Sequence, residues 1–116
     1  GGTNRKVAAS RIKTYIGGGT QWQSIKTSNY TASAGEGVFA NTTSGAFTVT
    51  LPASPSLGDE VSIVDYAGTF DTNNLTVGRN SSPIMGTAED LTVSIERAGI
   101  TLVYVDSTQG WILKNK

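Results

Sequence analysis

Apolar and polar residues alternate along most of this chain with a period of two, the spacing that puts successive side chains on opposite faces of a β-strand. Phe47, Val49 and Leu51 alternate with Thr48 and Thr50, and Pro52, which has no amide hydrogen, ends that run. Leu75-Thr76-Val77 repeats the pattern, as do Leu91, Val93 and Ile95 around Thr92 and Ser94. Gly58-Asp59 turns the chain into Glu60 to Tyr66, where Val61 and Ile63 share one face while Val64 and Tyr66 share the other. Both faces of that strand are therefore expected to be covered, one by the core and one by a loop or a neighbouring chain. Ile100 to Val105 is the most apolar run and reads as a central strand. Gly99 before it and the Asp106 to Gly110 turn after it predict an antiparallel pair with Trp111 to Lys114.

Weaker signals fill the gaps. Trp22 to Lys26 and Asn29 to Thr31 read as an opening strand, Gly37 to Asn41 as a short strand, and Ile84 to Gly86 as a brief one. Thr42 to Gly45, Asp71 to Asn74 and Asn80 to Pro83 have turn composition. About eight short strands at close spacing predict an all-β domain, a β-sandwich or jelly-roll-like fold or a small barrel. A parallel β/α sheet is not expected, because crossover helices are missing.

Only the start of the chain has helical spacing. In residues 5–16, Ala8, Ala9, Ile12, Tyr15 and Ile16 fall on one stripe, Thr3 or Asn4 can cap the start, and Gly17-Gly18-Gly19 ends the run. A helix of that length is marginal alone in water and needs a packing partner. The division predicted is a helical arm and glycine linker over 1–19, then a β-sandwich head over 20–116. Gly1-Gly2 reads as a cut from a longer chain.

Composition sharpens this picture. The chain has 16 Thr, 12 Ser and 7 Asn but only 16% charged residues, a hydroxyl- and amide-coated surface suited to solvated strands and turns. Net charge is zero, yet Arg5, Lys6, Arg11, Lys13 and Lys26 give residues 1–26 a charge of +5 and the rest carries −5. That segregation suits an arm held against an acidic neighbour or a solvated basic leader. Five spaced basic residues without a recognition motif do not predict nucleic-acid binding. No secretory signal opens the sequence, and no apolar stretch is long enough for a membrane helix, so membrane insertion is not expected.

The chain contains no His and no Cys, which removes the Ser–His–Asp and Cys–His systems, disulfides and most zinc or copper sites. A Ser–Lys pair has no supporting motif. Glu60, Asp65, Glu89, Asp90 and Glu96 offer carboxylates for a glycosidase pair in number only, and each reads as a strand-edge or turn residue. Asp71, Asn73 and Asn74, with Asp59 or Asp90, provide too few oxygens in one place to predict calcium over an ordinary polar turn. The expectation is a non-enzyme with no catalytic residue, cofactor or metal.

A glycan site needs an aromatic platform and planar polar groups. Tyr66 and Phe70, flanking Ala67-Gly68-Thr69, are the candidate platforms, with Asp71, Asn73, Asn74, Arg79 and Asn80 as hydrogen-bonding neighbours. Trp22 and Trp111 are possible platforms too, but are read first as core or subunit-seam residues. Ile12, Tyr15, Ile16, Trp22 and Val64 are the candidate oligomer contacts.

Several segments in order carry a family resemblance: Tyr30-Thr-Ala, Gly37-Val-Phe-Ala-Asn, Phe47-Thr-Val-Thr-Leu-Pro-Ala-Ser-Pro, Gly58-Asp-Glu-Val-Ser-Ile-Val-Asp-Tyr, Asn73-Asn-Leu-Thr-Val-Gly-Arg-Asn, Ile84-Met-Gly, and Thr101-Leu-Val-Tyr-Val-Asp before Gly110-Trp111. Together they resemble the C-terminal head modules of bacteriophage tail fibres and related virion appendages, especially those of marine phages and cyanophages. The Leu-Pro turn before a Gly-Asp strand is the most telling piece, and the leader resembles the short helix that precedes such heads. The resemblance implies a homotrimer on the virion, contacts with other virion proteins, and attachment to a bacterial surface polysaccharide or outer-membrane receptor, or appendage assembly. It carries over no catalytic or receptor-contact residue. The alternatives are a purely structural knob or trimerisation cap, and a secreted carbohydrate-binding β-sandwich module.

Overall fold

A computed structural model describes residues 20–115. Nine strands form two sheets: β1 (Gln21–Trp22), β2 (Tyr30–Thr31), β3 (Glu36–Ala40), β4 (Phe47–Thr50), β5 (Glu60–Asp65), β6 (Leu75–Gly78), β7 (Leu91–Val93), β8 (Gly99–Asp106) and β9 (Gly110–Asn115). One sheet has the order β1-β3-β5-β8-β9 and the other β2-β4-β6-β7. The helix expected over residues 5–16, the arm over 1–19, and with them Ile12, Tyr15 and Ile16, lie outside the described residues.

The first six strands alternate between the sheets. Each connection leaves one sheet and enters the other, so the chain returns to a given sheet running in the same direction. β1, β3 and β5 are therefore parallel neighbours, as are β2, β4 and β6. Parallel pairing arises here from a flattened coil and needs no crossover helix. The last three strands break the coil: β7 pairs antiparallel with β6, β8 with β5, and β9 with β8. The β8–β9 pair is the antiparallel hairpin read from the sequence. The all-β, two-sheet architecture agrees with that reading, but the sheets are mixed. A jelly roll, built from antiparallel Greek keys, and a closed barrel are not what forms.

The alternation dictates the core. Val38 and Ala40 from β3, Val49 from β4, Val61 and Ile63 from β5, Leu75 and Val77 from β6, and Leu102 from β8 are fully enclosed between the sheets with Leu51 and Trp111. Each buried Val, Leu or Ile side chain among them contributes roughly 1.5–3 kcal/mol of transfer free energy. Intervening residues face outward: Ser62 and Thr101, in register across β5 and β8, join their hydroxyls at 2.9 Å. The expected strand at Ile84 to Gly86 reduces to bridges from Ile84 to Thr87 and Trp111.

The two ends of the coil differ. At the far end Pro83 to Thr87 folds along the edge of β9, where Met85 N–H donates to Trp111 C=O at 2.8 Å and Trp111 N–H to Pro83 C=O at 2.9 Å. At the near end β1 and β2 are two residues each, and no further strand covers their outer edges among the described residues.

Candidate functional site

Because β1, β3 and β5 run in parallel, the connections 23–29, 41–46 and 66–74 emerge on one side of the coil. The loop 94–98 joins them there, since β7 and β8 run against β6 and β5. The connections 32–35, 51–59, 79–90 and 107–109 lie on the opposite side. This topology divides the glycan-site candidates. Tyr66, Phe70, Asp71, Asn73 and Asn74 belong to the first side, while Arg79 and Asn80, beyond the other end of β6, belong to the second.

Asp65, the last residue of β5, organises the first side. Its side chain is buried, and its carboxylate accepts four backbone hydrogen bonds: from Gly68 and Thr69 on Oδ1 at 2.9 and 3.1 Å, and from Phe70 and Arg97 on Oδ2 at 3.0 and 2.9 Å. Burial pushes its pKa upward, but these four donors outweigh burial and hold it below the ordinary value. The same contacts hold Arg97 in a left-handed conformation, φ 60°. Its guanidinium donates to Tyr66 C=O at 2.8 Å. Gly68, at φ +74°, leaves room for that guanidinium, since a Cβ there would approach Arg97 Nε to 2.9 Å.

Tyr66 emerges from this loop 47% exposed, the accessible aromatic of the pair. Phe70 does not share the surface role considered for it: it is 1% exposed and belongs to the core, drawn inward by its N–H bond to Asp65. The amides are also committed to the fold. Asn73 Nδ2 donates to Thr42 C=O at 2.8 Å, Asn74 Nδ2 to Phe70 C=O at 2.7 Å, and Asn80 Nδ2 to Leu51 C=O at 2.9 Å. Arg79 donates its backbone N–H to Asp90 at 3.0 Å. Asp71 is exposed. Thr42, fully buried, joins Thr69 hydroxyl to hydroxyl at 2.7 Å and ties the second connection to the third.

Between the first two connections lies an open cleft of about 400 Å³, lined by Thr27, Ser28, Asn29, Ser44, Gly45, Ala46 and Phe47. Its polar groups are neutral hydroxyls and amides, which suit hydrogen bonding to polyols. Among the described residues, no three carboxylates gather closely enough to hold a metal ion. Glu60, at the other end of β5 from the buried Asp65, pairs with Lys114 at 3.4 Å.

A second surface is the outer face of the five-stranded sheet. Trp22 lies flat on it, stacked on Phe39 at 4.6 Å with 21° between the rings, and covers Gly37. A Cβ at Gly37 would fall 2.4 Å from the indole, so glycine is what lets the ring rest there. Phe39 is in register with Val64, so two of the candidate contacts, Trp22 and Val64, share one face. Trp22 remains 47% exposed, whereas Trp111 is wholly buried in the core. Sequence reasoning did not single out Asp65 as an organiser, although Asp65-Tyr-Ala-Gly68 has the spacing of an aspartate accepting from the turn that follows. It also gave Arg97 no role.

No family model matches the chain, and no curated protein matches it.

Proposed function

We propose that this chain is a non-enzymatic distal module of a virion appendage, a homotrimeric tail-fibre or tail-tip head that contacts the bacterial surface. The observation that carries the reading is the unequal finish of the coil. Pro83 to Thr87 folds along the edge of β9, whereas among the described residues no further strand covers the two-residue β2. A strand edge that no other strand covers is a place where further protein can add. A terminal head that continues into a shaft, or abuts its own copies, has this polarity. The resemblance to phage fibre heads supports the same reading, as does the cleft of neutral hydroxyls and amides on the same side of the coil as Tyr66.

Light scattering on the full chain tests assembly: a trimer mass is expected at micromolar concentration, and a monomer sinks the trimeric reading. Binding to host cells or their polysaccharide tests attachment. Tyr66→Ala is expected to reduce it without changing the trimer. Unchanged binding removes Tyr66 from the contact, and no binding by the unaltered protein leaves a structural cap.

A further inference from the structure

The cleft between the connections 23–29 and 41–46 differs from the rest of its side of the coil in what its side chains leave uncommitted. Asn73 and Asn74 give their Nδ2 groups to backbone carbonyls, Thr42 bonds to Thr69, and Arg97 donates to Tyr66 C=O. Asn29 does the reverse. Its Oδ1 accepts from Thr48 N–H at 2.9 Å, which fixes the side chain against β4 and leaves both Nδ2 hydrogens without an acceptor among the described residues. The hydroxyls of Thr27, Ser28 and Ser44 also bond to nothing among the described residues. An amide and three hydroxyls thus line one cleft with their capacity free, beside Ala46 and the largely buried Phe47.

The walls are already in place. Asn41 N–H donates to Lys26 C=O at 2.9 Å and ties the first connection to the second, and Gly45 N–H donates to Thr42 C=O at 3.1 Å within the second. Gly45 leaves open space where a Cβ would stand. A preformed site of about 400 Å³ is within the ordinary range for small ligands and loses little freedom on binding.

The lining also selects the chemistry. None of its residues is charged, so a carboxylate or phosphate would give up water there without gaining a counter-ion. An apolar ligand would leave the amide and hydroxyls without partners. A polyol does neither, because each of its hydroxyls donates and accepts, which matches hydroxyls that do the same and an amide left only to donate.

We propose that this cleft binds a neutral saccharide, contacted by Asn29 Nδ2 and the hydroxyls of Thr27, Ser28 and Ser44. This deepens the reading of the chain as a host-contacting head and rests on it for the ligand's source, an uncharged polysaccharide of the bacterial surface.

Asn29→Asp separates fold from recognition, because it keeps the acceptor for Thr48 N–H and exchanges the Nδ2 donors for an anionic oxygen. Ser44→Trp fills the cleft from an exposed position. The probes are the methyl glycosides of glucose, galactose, mannose and N-acetylglucosamine, with glucuronate as the charged comparator, titrated into the full chain and followed by amide NMR shifts. At least one neutral glycoside is expected to bind with a Kd of about a millimolar, shifting the amides of Ser28, Asn29 and Ser44. Both variants are expected to bind it at least about tenfold more weakly, and glucuronate is expected to bind no more tightly than the neutral sugar. No shift at those amides with any of the four glycosides overturns the proposal, whether or not a variant keeps its fold. Equal affinity in the two variants overturns it too, as does tighter binding of glucuronate. A host-cell binding assay separates this site from host contact in general. If both variants bind cells as the native chain does while Tyr66→Ala does not, the cleft fails and host contact stands. If the native chain binds a neutral glycoside at the cleft but no host cell, the cleft stands and host contact fails.

Discussion

Replacing Asp65 by Asn tests the physical logic of the loop side most sharply, because the substitution keeps the shape and changes only charge and one acceptor. The carboxylate receives four backbone N–H groups, two on each oxygen. An amide in either orientation turns its NH2 toward two of them. Each buried donor so stranded costs about 1–3 kcal/mol. The two remaining bonds lose their charge assistance, while the neutral side chain is cheaper to bury, which offsets part of the loss. The expected net cost is about 3–4 kcal/mol, near the upper end for a single substitution. For a domain of this size that lowers Tm by roughly 12–30 °C. Urea unfolding followed by tryptophan emission measures it, with the buried Trp111 as reporter. The pH dependence gives an independent sign. The pKa of Asp65 is lowered in the folded chain, so its contribution is complete above the ordinary value of 3.8 and is lost as pH falls through the lowered one. The gap between the native chain and Asp65→Asn should therefore narrow below about pH 4. A variant within about 1 kcal/mol of the native chain at neutral pH would refute the reasoning, as would a gap that stays constant into strong acid.

Gly110→Ala should be among the most damaging single changes: φ is +73° and a Cβ would lie 1.9 Å from the Pro83 carbonyl oxygen, so backbone must move. A loss of about 3 kcal/mol or more is expected in the same unfolding assay, against about 1 kcal/mol for a glycine whose φ alone is unusual. Gly37→Ala should lift Trp22 off the sheet with little effect on the core, seen as red-shifted emission at nearly native Tm. Tyr30 donates to Glu36 at 2.6 Å, and this bond, with burial and the carboxylate charge, pushes its pKa up to about 12. Its contribution is complete below the ordinary value of 10.0 and is lost as pH rises toward 12; Tyr30→Phe should cost about 1 kcal/mol at neutral pH and flatten that alkaline loss in a pH series of melts.

Strand positions were largely legible, because burial on one face writes a period-two pattern into the sequence. Phe47 to Leu51, Glu60 to Tyr66 and Ile100 to Val105 fall on β4, β5 and β8 almost residue for residue. Partner choice was not legible. A strand that returns to its own sheet after visiting another has the same alternation as one that returns by a hairpin, so Val38 and Ile63 carry no mark of lying in parallel register. The outer-face reading of Val64 came from the same alternation and agrees with its pairing beside Phe39. The loop side was harder. Tyr66 and Phe70 look alike as aromatics bracketing a glycine turn, and what separates them is the Asp65 carboxylate, which draws the Phe70 amide inward and leaves Tyr66 outside. Asn73, Asn74 and Asn80 read as free recognition groups because a sequence does not show which backbone carbonyls lack a donor; each of them fills such a vacancy.

The alternation between sheets also decides in which direction the fold can be continued. A further coil at the start needs one more strand in each sheet, parallel to β1 and β2. At β9 the Pro83 to Thr87 fold already occupies part of the edge, so a strand added there would have to displace it. The edge of β2, which no further strand covers among the described residues, is therefore where a backbone partner can add.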